Sequence, residues 1–278
     1  MSTNVLESLS LKLIGYEKGQ KLPTILELTK VFDVGTGTIQ KNLKVLTDSK
    51  AIRVEARGHR GSFIEHIDYF RLCYFANINH FTIDVPSLEK FNLNPSMKRF
   101  KELLQKNAIT LSLNEVAGSE VRRNNLKLTS DAIYLSRLAS EIYSNNEDVV
   151  TFIFHEGSYY LHNNIMLVSR NELPEITTKI KVGIDRASKD HEFITEAFFK
   201  KYNVEYINSN YATLPRCVFL NDIEFGIWDR RESIIPLDKV DIKCKPIELP
   251  EECRHVTSAA IVVKRDNPLS YLLERYLD

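Results

Sequence analysis

The sequence lacks any long apolar run, so no part of its 278 residues approaches the length of a membrane-spanning helix. Its beginning, MSTNVLESLSLKLIGYEKG, places apolar residues at helical spacing and lacks the unbroken apolar segment of a signal peptide. Only four cysteines occur, and they are scattered without a C-x-x-C pair, which is typical of reduced structural cysteines. These absences predict a cytoplasmic protein.

The motifs of several enzyme classes are also missing. The chain has no Walker A loop, no G-x-G-x-x-G, no H-E-x-x-H and no G-x-S-x-G. His155 and Glu156 are adjacent, but neighbours on a strand point to opposite faces, so they make a poor acid/base pair. The seven histidines are dispersed. We therefore expect a protein that is not an enzyme and has no metal site and no cofactor.

An excess of charge of either sign is absent too, because 37 Lys and Arg balance 37 Asp and Glu. The distribution is nevertheless uneven. Residues 1–65 contain ten basic and seven acidic residues, which leaves 27 basic and 30 acidic residues for 66–278. A modestly basic N-terminal part on a neutral or acidic body suits a protein that touches nucleic acid at one end.

Residues 21–64 carry the clearest local signals in the chain. Thr24, with Glu27 three residues on, forms a capping-box pattern at the start of a short helix. A turn at residues 32–35 leads to a second helix over 36–47. Two short strand-like runs then flank the Gly-rich loop at 57–61. With a helix near the N-terminus, this order of elements predicts a winged helix-turn-helix that binds DNA.

The second helix is amphipathic, and its polar side contains groups that can reach base edges and phosphates. The loop between the strands adds basic side chains for the DNA backbone or an adjacent minor groove. The predicted DNA-binding residues are Thr24, Thr36, Thr38, Gln40, Lys41, Lys44, Arg57, His59 and Arg60. The alternatives are a solvated basic hairpin and a winged helix that binds another protein.

Several short motifs in this region resemble the winged-helix domain of GntR regulators. They are Leu-Pro-Thr at 22–24, Phe-x-Val at 32–34, Gly-Thr-Ile-Gln at 37–40 and Gly-x-x-Gly-Ser-Phe-Ile at 58–64. More narrowly, the chain resembles the bacterial YhfZ-type regulators, in which such a domain precedes a two-lobed domain similar to periplasmic binding proteins. It departs from the common GntR pattern, because Gly35 and Thr36 replace a Ser-Arg pair and Gln40 stands where an arginine is frequent. The half-site sequence therefore does not carry over.

From Tyr69 onward, apolar runs alternate with amphipathic segments, which predicts an α/β domain with mainly parallel sheets. We expect strands over 70–76, 109–116, 149–154, 165–168, 181–184, 204–207, 223–228 and 259–263. We expect helices over 97–106, 130–143, 188–202 and 269–277. A chain that crosses to a second set of strands and returns resembles a type II periplasmic-binding-protein fold.

The predicted domains are a winged helix-turn-helix over 1–66 and a two-lobed α/β effector domain over 67–278. Lobe 1 covers about 67–164 and 258–278, and lobe 2 covers about 165–257. A ligand of this fold would lie in the cleft, at strand C-termini and helix N-termini.

Polar residues that follow strands or begin helices are the candidates for that cleft. Asp185 and Ser188 lie between a strand and a helix whose N-terminus could hold an anionic group. Arg122, in a loop over 117–123, could clamp a carboxylate or phosphate. The predicted ligand-binding residues are Asn77, Asn79, Arg122, His155, Ser158, Asp185, Ser188 and Asp229. Each also has a structural explanation; Ser188, for example, could simply cap its helix.

The leading hypothesis is a transcription regulator that binds a double-stranded operator as a homodimer and senses a small anionic metabolite. A second hypothesis makes the body a dimerisation or partner-protein platform without ligand. A third is an enzyme of the binding-protein fold with a regulatory head. A cleft filled by its own side chains would favour the second, and turnover lost on mutating His155 or Ser158 would favour the third.

Overall fold

The structure, a computed structural model, describes residues 4–144, 148–232 and 237–277. The chain divides into two compact units. The first comprises residues 1–81, 100–111 and 266–278, and the second comprises residues 82–99 and 112–265. Over the described ranges, no helix is long and apolar enough to cross a membrane.

The first unit begins with three helices, α1 (Val5–Ile14), α2 (Ile25–Phe32) and α3 (Thr36–Asp48). The predicted capping box at α2 is confirmed: the hydroxyl of Thr24 accepts from the N–H of Glu27 at 3.2 Å, and the Glu27 carboxylate accepts from the N–H of Thr24 at 2.7 Å. Both bonds satisfy donors that a helix start otherwise leaves unpaired. Leu28, Ile39 and Leu46 are buried and form part of the core between these helices.

A two-stranded antiparallel hairpin follows, made of β1 (Ile52–Ala56) and β2 (Ser62–Ile67). The register shifts between Arg53 and Val54, as at a β-bulge. One turn of 3₁₀ helix (Gly58–Arg60) forms the tip, which the N–H of Arg57 closes by donating to the carbonyl of Gly61 at 2.8 Å. The predicted helix-turn-helix with a basic hairpin is therefore present.

The next element corrects the sequence-based prediction of a strand over 70–76, because residues Tyr69–Phe75 form helix α4. Asp68 caps it by accepting from the N–H of Arg71 at 3.0 Å. The buried residues Tyr69, Leu72 and Cys73 fall at helical spacing, which a short, almost wholly apolar run conceals. Asn77 and Asn79 therefore follow a helix and do not end a strand.

Helix α11 (Pro268–Tyr276) packs beside α4 in the first unit. The ring of Phe70 stacks on that of Tyr276 with 4.9 Å between centroids, and the guanidinium of Arg275 lies 4.3 Å from the ring centroid of Tyr69. The end of the chain thus contributes to the unit that contains the helix-turn-helix.

The second unit contains two five-stranded sheets, apart from the first two residues of β3 and β4, which belong to the first unit. One sheet has the order β4-β3-β5-β12-β6 and the other β11-β7-β10-β8-β9. Their strands are β3 (His80–Val85), β4 (Thr110–Glu115), β5 (Ala132–Ser136), β6 (Val149–Ile153), β7 (Ile165–Ser169), β8 (Lys179–Ile184), β9 (Asn203–Asn208), β10 (Phe225–Asp229), β11 (Lys243–Pro246) and β12 (Ala259–Lys264). The chain crosses between the sheets after β6 and returns at β12.

The expectation of mainly parallel sheets needs a correction, because each sheet contains one strand that is antiparallel to both of its neighbours. In the first sheet β3 runs parallel to β5, while β12 is antiparallel to both of its neighbours. In the second sheet β8 is parallel to β9 and β10, while β7 is antiparallel to β10 and β11. The antiparallel pairs arise at β7 and β12, which follow the two crossings.

The predicted helix over 130–143 is also wrong, because its first part is strand β5 and only Arg137–Ser144 is helical. All five residues of β5 are buried, so the strand has no alternation of polar and apolar side chains. Asp131, just before β5, accepts through its carboxylate from the N–H of Thr82 at 2.8 Å and so joins β5 to β3.

Further helices accompany the sheets. They are α5 (Leu88–Asn92), α6 (Pro95–Lys106), α7 (Ser119–Leu128), α8 (Arg137–Ser144), α9 (Lys189–Phe199) and α10 (Leu214–Phe219). Helix α6 begins in the second unit and ends in the first. Because α7 begins at residue 119, Arg122 and Arg123 lie on a helix and not in the loop predicted over 117–123.

Candidate functional site

The exposed face of α3 presents the polar side chains that the sequence predicted for DNA contact. Thr36, Thr38, Gln40, Lys41 and Lys44 are all exposed, because the apolar residues of the helix occupy its opposite, buried side. An α-helix with one polar face fits the major groove of B-DNA, where hydroxyl, amide and ammonium groups can reach bases and phosphates.

The hairpin tip carries the other predicted contacts, and they are not equivalent. His59 and Arg60 are exposed at the tip. Arg57 instead donates to the Glu55 carboxylate at 2.7 Å and lies 4.7 Å from the ring centroid of Phe63. Its guanidinium is already held within the hairpin, although 44% of its side-chain surface stays accessible. The Thr24 hydroxyl is similarly engaged in the capping box of α2.

A cavity of about 670 Å³ lies within the second unit. Its walls come from segments near α5, β4, α7, β8 and β10 and from the chain between β6 and β7. It is lined by Pro86, Ser87, Glu89, Lys90, Glu115, Ala117, Gly118, Arg122, Tyr159, Tyr160, Asp185, Ser188, Tyr211, Ala212, Trp228, Arg231 and Glu232. The volume suits a small metabolite.

Arg122 is a buried and incompletely paired charge in this cavity. Its side chain extends from α7, and the residue is only 3% exposed. One terminal nitrogen donates to the carbonyl of Val116 at 2.6 Å, and the other lies 3.5 Å from the hydroxyl of Tyr159. Among the described residues, its Nε has no hydrogen-bond partner and no carboxylate forms a salt bridge with it. A buried guanidinium with only neutral partners attracts an anion.

Two further residues that line the cavity also have an N–H group without a partner in the described part of the chain. Arg231 binds the buried Asp229 carboxylate through two nitrogens at 3.2 and 2.8 Å and donates to the carbonyl of Tyr159 at 3.2 Å. Its Nη1 and the Nε1 of Trp228 have no partner among the residues the structure describes. Arg122, Trp228 and Arg231 all line the cavity, and each has one buried N–H group without a partner among the described residues.

Lys90, in contrast, is fully engaged. Its ammonium lies 2.5 Å from the Glu232 carboxylate, 3.9 Å from the ring centroid of Tyr160 and 5.0 Å from that of Tyr159. Burial raises the pKa of both tyrosines well above the ordinary value, so their phenols remain neutral. The aromatic faces and the carboxylate stabilise the buried cation.

The predicted site residue Asp185 lines the cavity, but its carboxylate is occupied by backbone groups. One oxygen accepts from the N–H of Ala187 at 2.9 Å and the other from that of Tyr211 at 2.8 Å. Its own N–H donates to Nδ1 of His191, whose Nε2 therefore carries the proton and donates to the carbonyl of Ile227 at 3.1 Å. These bonds fix the turn between β8 and α9.

Ser188 also lines the cavity and is the N-cap residue of α9, without a side-chain capping bond. The N–H of Lys189 is satisfied by the hydroxyl of Ser119, 2.9 Å away on α7. Part of this helix start is therefore already used by the protein itself.

Five of the eight predicted ligand-binding residues are not among those that line the cavity: Asn77, Asn79, His155, Ser158 and Asp229. The Ser158 hydroxyl donates to the carbonyl of His155 and accepts from the N–H of Ala259 at 2.8 Å, so it fixes the backbone. Asp229 acts on the cavity through Arg231. The asparagines follow α4 in the first unit.

The sequence-based prediction missed Lys90, Tyr159, Tyr160, Tyr211, Trp228 and Arg231. Arg231 carried a usable signal, since it comes two residues after the predicted Asp229 at the end of an apolar run. The tyrosines carried none, because aromatic residues are just as common in cores.

Comparison with known proteins accounts for both parts of the chain. The family described as the YhfZ C-terminal domain matches residues 68–278, and a helix-turn-helix domain matches residues 17–64. The YhfZ protein of Escherichia coli (strain K12) is 24% identical over 281 residues, which cover 99% of this chain and 90% of that protein.

Solved structures show the same fold. YhfZ from Shigella flexneri has a TM-score of 0.57 and 21% identity, over 75% of this chain and 89% of that chain. The alkanesulfonate-binding protein SsuA from Xanthomonas axonopodis pv. citri, bound to MOPS, has a TM-score of 0.52 and 10% identity, over 70% of each chain. The predicted fold class, a helix-turn-helix followed by a binding-protein-like α/β domain, is confirmed.

Proposed function

Because this chain belongs to the family of the YhfZ C-terminal domain, we propose that it is a transcription regulator that binds an operator and senses a small anionic metabolite. The proposed functional domains are residues 1–66 for DNA and 67–278, in two lobes, for the ligand. A regulator of this kind works beside the chromosome, so we propose the bacterial cytoplasm as its location.

The DNA-binding part of the proposal is supported by the exposed polar face of α3 and the basic hairpin tip. Lys41 and Lys44 suit phosphates, and Thr38 and Gln40 suit base edges. One winged helix contacts too few base pairs for useful specificity, so we propose a homodimer that reads two half-sites.

The main support for an anionic ligand is that Arg122, Trp228 and Arg231 line one cavity and that each has a buried N–H group without a partner among the described residues. A buried donor without a partner costs about 1–3 kcal/mol, and more for a charged group. An oxyanion accepts several hydrogen bonds at once and also neutralises Arg122, so it removes this cost where an apolar ligand would not.

The two alternative functions lack comparable support. A cleft filled by the protein's own side chains would favour a partner-protein platform. The cavity is instead open enough for a metabolite. For the enzyme, Ser158 is one of the two residues whose mutation would test the hypothesis, and its hydroxyl is engaged with backbone atoms outside the lining of the cavity.

The test begins with selection of binding sites from random duplexes at two salt concentrations. The wild type is compared with an Arg57→Ala/Arg60→Ala double variant. We expect enrichment of a two-fold symmetric site, and binding that is weakened both by salt and by the substitutions, because phosphate contacts depend on counterion release. Absence of an enriched site, with a double variant that behaves like the wild type, would overturn DNA binding.

The selected duplex is then titrated in the presence of millimolar propionate, ethanesulfonate or ethylphosphonate at constant ionic strength. An anion that alters operator affinity of the wild type should leave that of Arg122→Gln unchanged. Arg216→Gln, an exposed arginine on α10, is the matched control and should respond like the wild type. Equal responses of both arginine variants would contradict the assignment of the anion to Arg122.

A further inference from the structure

We infer that the ligand of the cavity is a zwitterion, a small molecule that carries an amine together with its acidic group. This inference rests on the proposed anion-sensing function and adds the chemical class of the ligand. It follows from the basic and acidic side chains of the lining that have no salt bridge among the described residues.

The cationic side chains of the lining are balanced except for one. Lys90 is paired with Glu232 at 2.5 Å, and Arg231 is paired with Asp229 at 2.8 Å. Arg122 is the remaining cation, and it has no salt bridge among the described residues. The buried carboxyl of Asp190 lies within electrostatic range of it, but burial raises the pKa of that carboxyl and so disfavours its charged form. One acidic group of a ligand would therefore neutralise the cationic side of the cavity.

The acidic group of the ligand would not balance the acidic side chains of the lining. Glu89 and Glu115 both line the cavity and are exposed to solvent, and within the described ranges no cation forms a salt bridge with either. Asp185 also lacks a salt bridge there, but its two carboxylate oxygens accept from backbone N–H groups. Glu89 lies within electrostatic range of Arg231, and the Glu115 carboxylate accepts from the backbone N–H of Leu88 at 2.7 Å. A purely anionic ligand would add a negative charge beside these carboxylates, which opposes binding. An amine on the same ligand removes this repulsion and pairs with them.

The aromatic wall favours the same class. The ammonium of Lys90 lies 3.9 and 5.0 Å from the ring centroids of Tyr160 and Tyr159, so these rings already bind one alkylammonium, that of the protein itself. Tyr211 and Trp228, whose ring centroids lie 4.5 Å apart at an interplanar angle of 30°, line the same cavity. Aromatic faces attract cations and also pack against an aliphatic stem. A short amino acid, sulfonate or phosphonate combines both features.

The experiment compares matched acids with and without the amine: β-alanine with propionate, taurine with ethanesulfonate, and 2-aminoethylphosphonate with ethylphosphonate. Trp228 is the single tryptophan of the chain and lines the cavity, so its fluorescence reports binding in the full-length protein. Thermal stabilisation provides a second readout. We expect at least one amine-bearing acid to bind at least fivefold more tightly than its partner.

Two pairs of substitutions locate the effect. Glu89→Gln/Glu115→Gln should bring the ratio within a pair to less than twofold, because the neutral amides no longer distinguish the amine. Glu175→Gln/Glu248→Gln removes the same charge from two exposed residues outside the lining and should preserve the ratio. Arg122→Gln should weaken both members of a pair at least tenfold, since it removes the anion partner.

The outcomes separate the inference from the proposed function. If amine-free acids bind as tightly as their partners, or if the Glu89/Glu115 variant tightens both members equally, the zwitterion is overturned while the anion site stands. If no acid of either kind binds at millimolar concentration, both the zwitterion and the anion-sensing function fail.

Discussion

Tyr159 contacts all three cationic side chains of the cavity. Its carbonyl accepts from Arg231 at 3.2 Å, its hydroxyl lies 3.5 Å from Arg122, and its ring centroid lies 5.0 Å from the Lys90 ammonium. The residue is only 1% exposed, and its phenol stays neutral because burial raises its pKa. A single buried residue, through its ring, its hydroxyl and its backbone carbonyl, therefore contacts the three positive charges of the site.

His191 is the residue for which pH dependence can be predicted. Burial lowers its pKa from 6.5 to about 4, while the unfolded imidazole titrates near its ordinary value. Its contribution to stability is complete above pH 6.5 and is lost as the pH falls towards 4, because the unfolded chain then binds a proton that the folded chain excludes. We expect the free energy of unfolding to fall by about 2 kcal/mol between pH 7.5 and pH 5 from this residue.

Urea unfolding followed by Trp228 fluorescence measures this loss. In His191→Gln the amide can accept from Asp185 and donate to Ile227 without titrating, so the loss over this pH range should be smaller by that amount. An identical pH dependence in the two proteins would show that His191 is not the group responsible.

At the scale of elements, the helix-turn-helix and its hairpin contain two glycines that differ in whether the backbone requires glycine at that position. Gly61, at the end of the hairpin tip, has φ +96°, and an added Cβ would lie 2.8 Å from Cε of Lys21. Gly37, inside α3, has nothing within 4 Å of an added Cβ. Gly61 is thus required by the backbone, whereas Gly37 only adds flexibility to a helix.

We expect Gly61→Ala to destabilise the hairpin by at least ~1 kcal/mol, because alanine is strained at positive φ. Gly37→Ala should stabilise α3 by about 0.5–1 kcal/mol. Amide hydrogen exchange of peptides from α3 and the hairpin measures both changes. Trp228 fluorescence does not report them, because Trp228 lies in the second unit. A faster exchange of α3 in Gly37→Ala would contradict the assignment.

At the scale of the whole molecule, regulation requires that operator and ligand affect each other's affinity. The coupling is reciprocal: an anion that weakens operator binding by a given factor must itself bind more weakly, by the same factor, to the operator complex. Coupling of 5- to 150-fold is typical of such systems.

We therefore expect the ratio of operator Kd values with and without the anion to equal the ratio of anion Kd values with and without operator. Fluorescence anisotropy of labelled duplex gives the first ratio, and Trp228 fluorescence gives the second. A duplex of unrelated sequence is the control and should leave the anion Kd unchanged. Ratios of one in both measurements would contradict regulation of operator binding by the anion.

The sequence by itself determined the helix-turn-helix and its hairpin, because the signals that specify them are local. The capping box of α2, the turn before α3, the buried stripe of Ile39 and Leu46 and the Gly-rich hairpin tip each act over a few residues. Such interactions do not depend on what the rest of the chain does. The strands β8, β9 and β10 and helix α9 were predictable for the same reason, since apolar runs and helix starts mark them.

Only the tertiary structure decided the identity of α4 and β5 and the membership of the cavity. The run at 69–75 is almost wholly apolar and the run at 132–136 is wholly buried, so neither shows a clear period of polar and apolar residues and packing determined their conformation. Lys90, Arg122 and Arg231 lie far apart in sequence and meet only because Tyr159 and the two sheets bring them together. A charge becomes a binding group when burial removes its water and its neighbours leave it unpaired, and both conditions are properties of the folded chain.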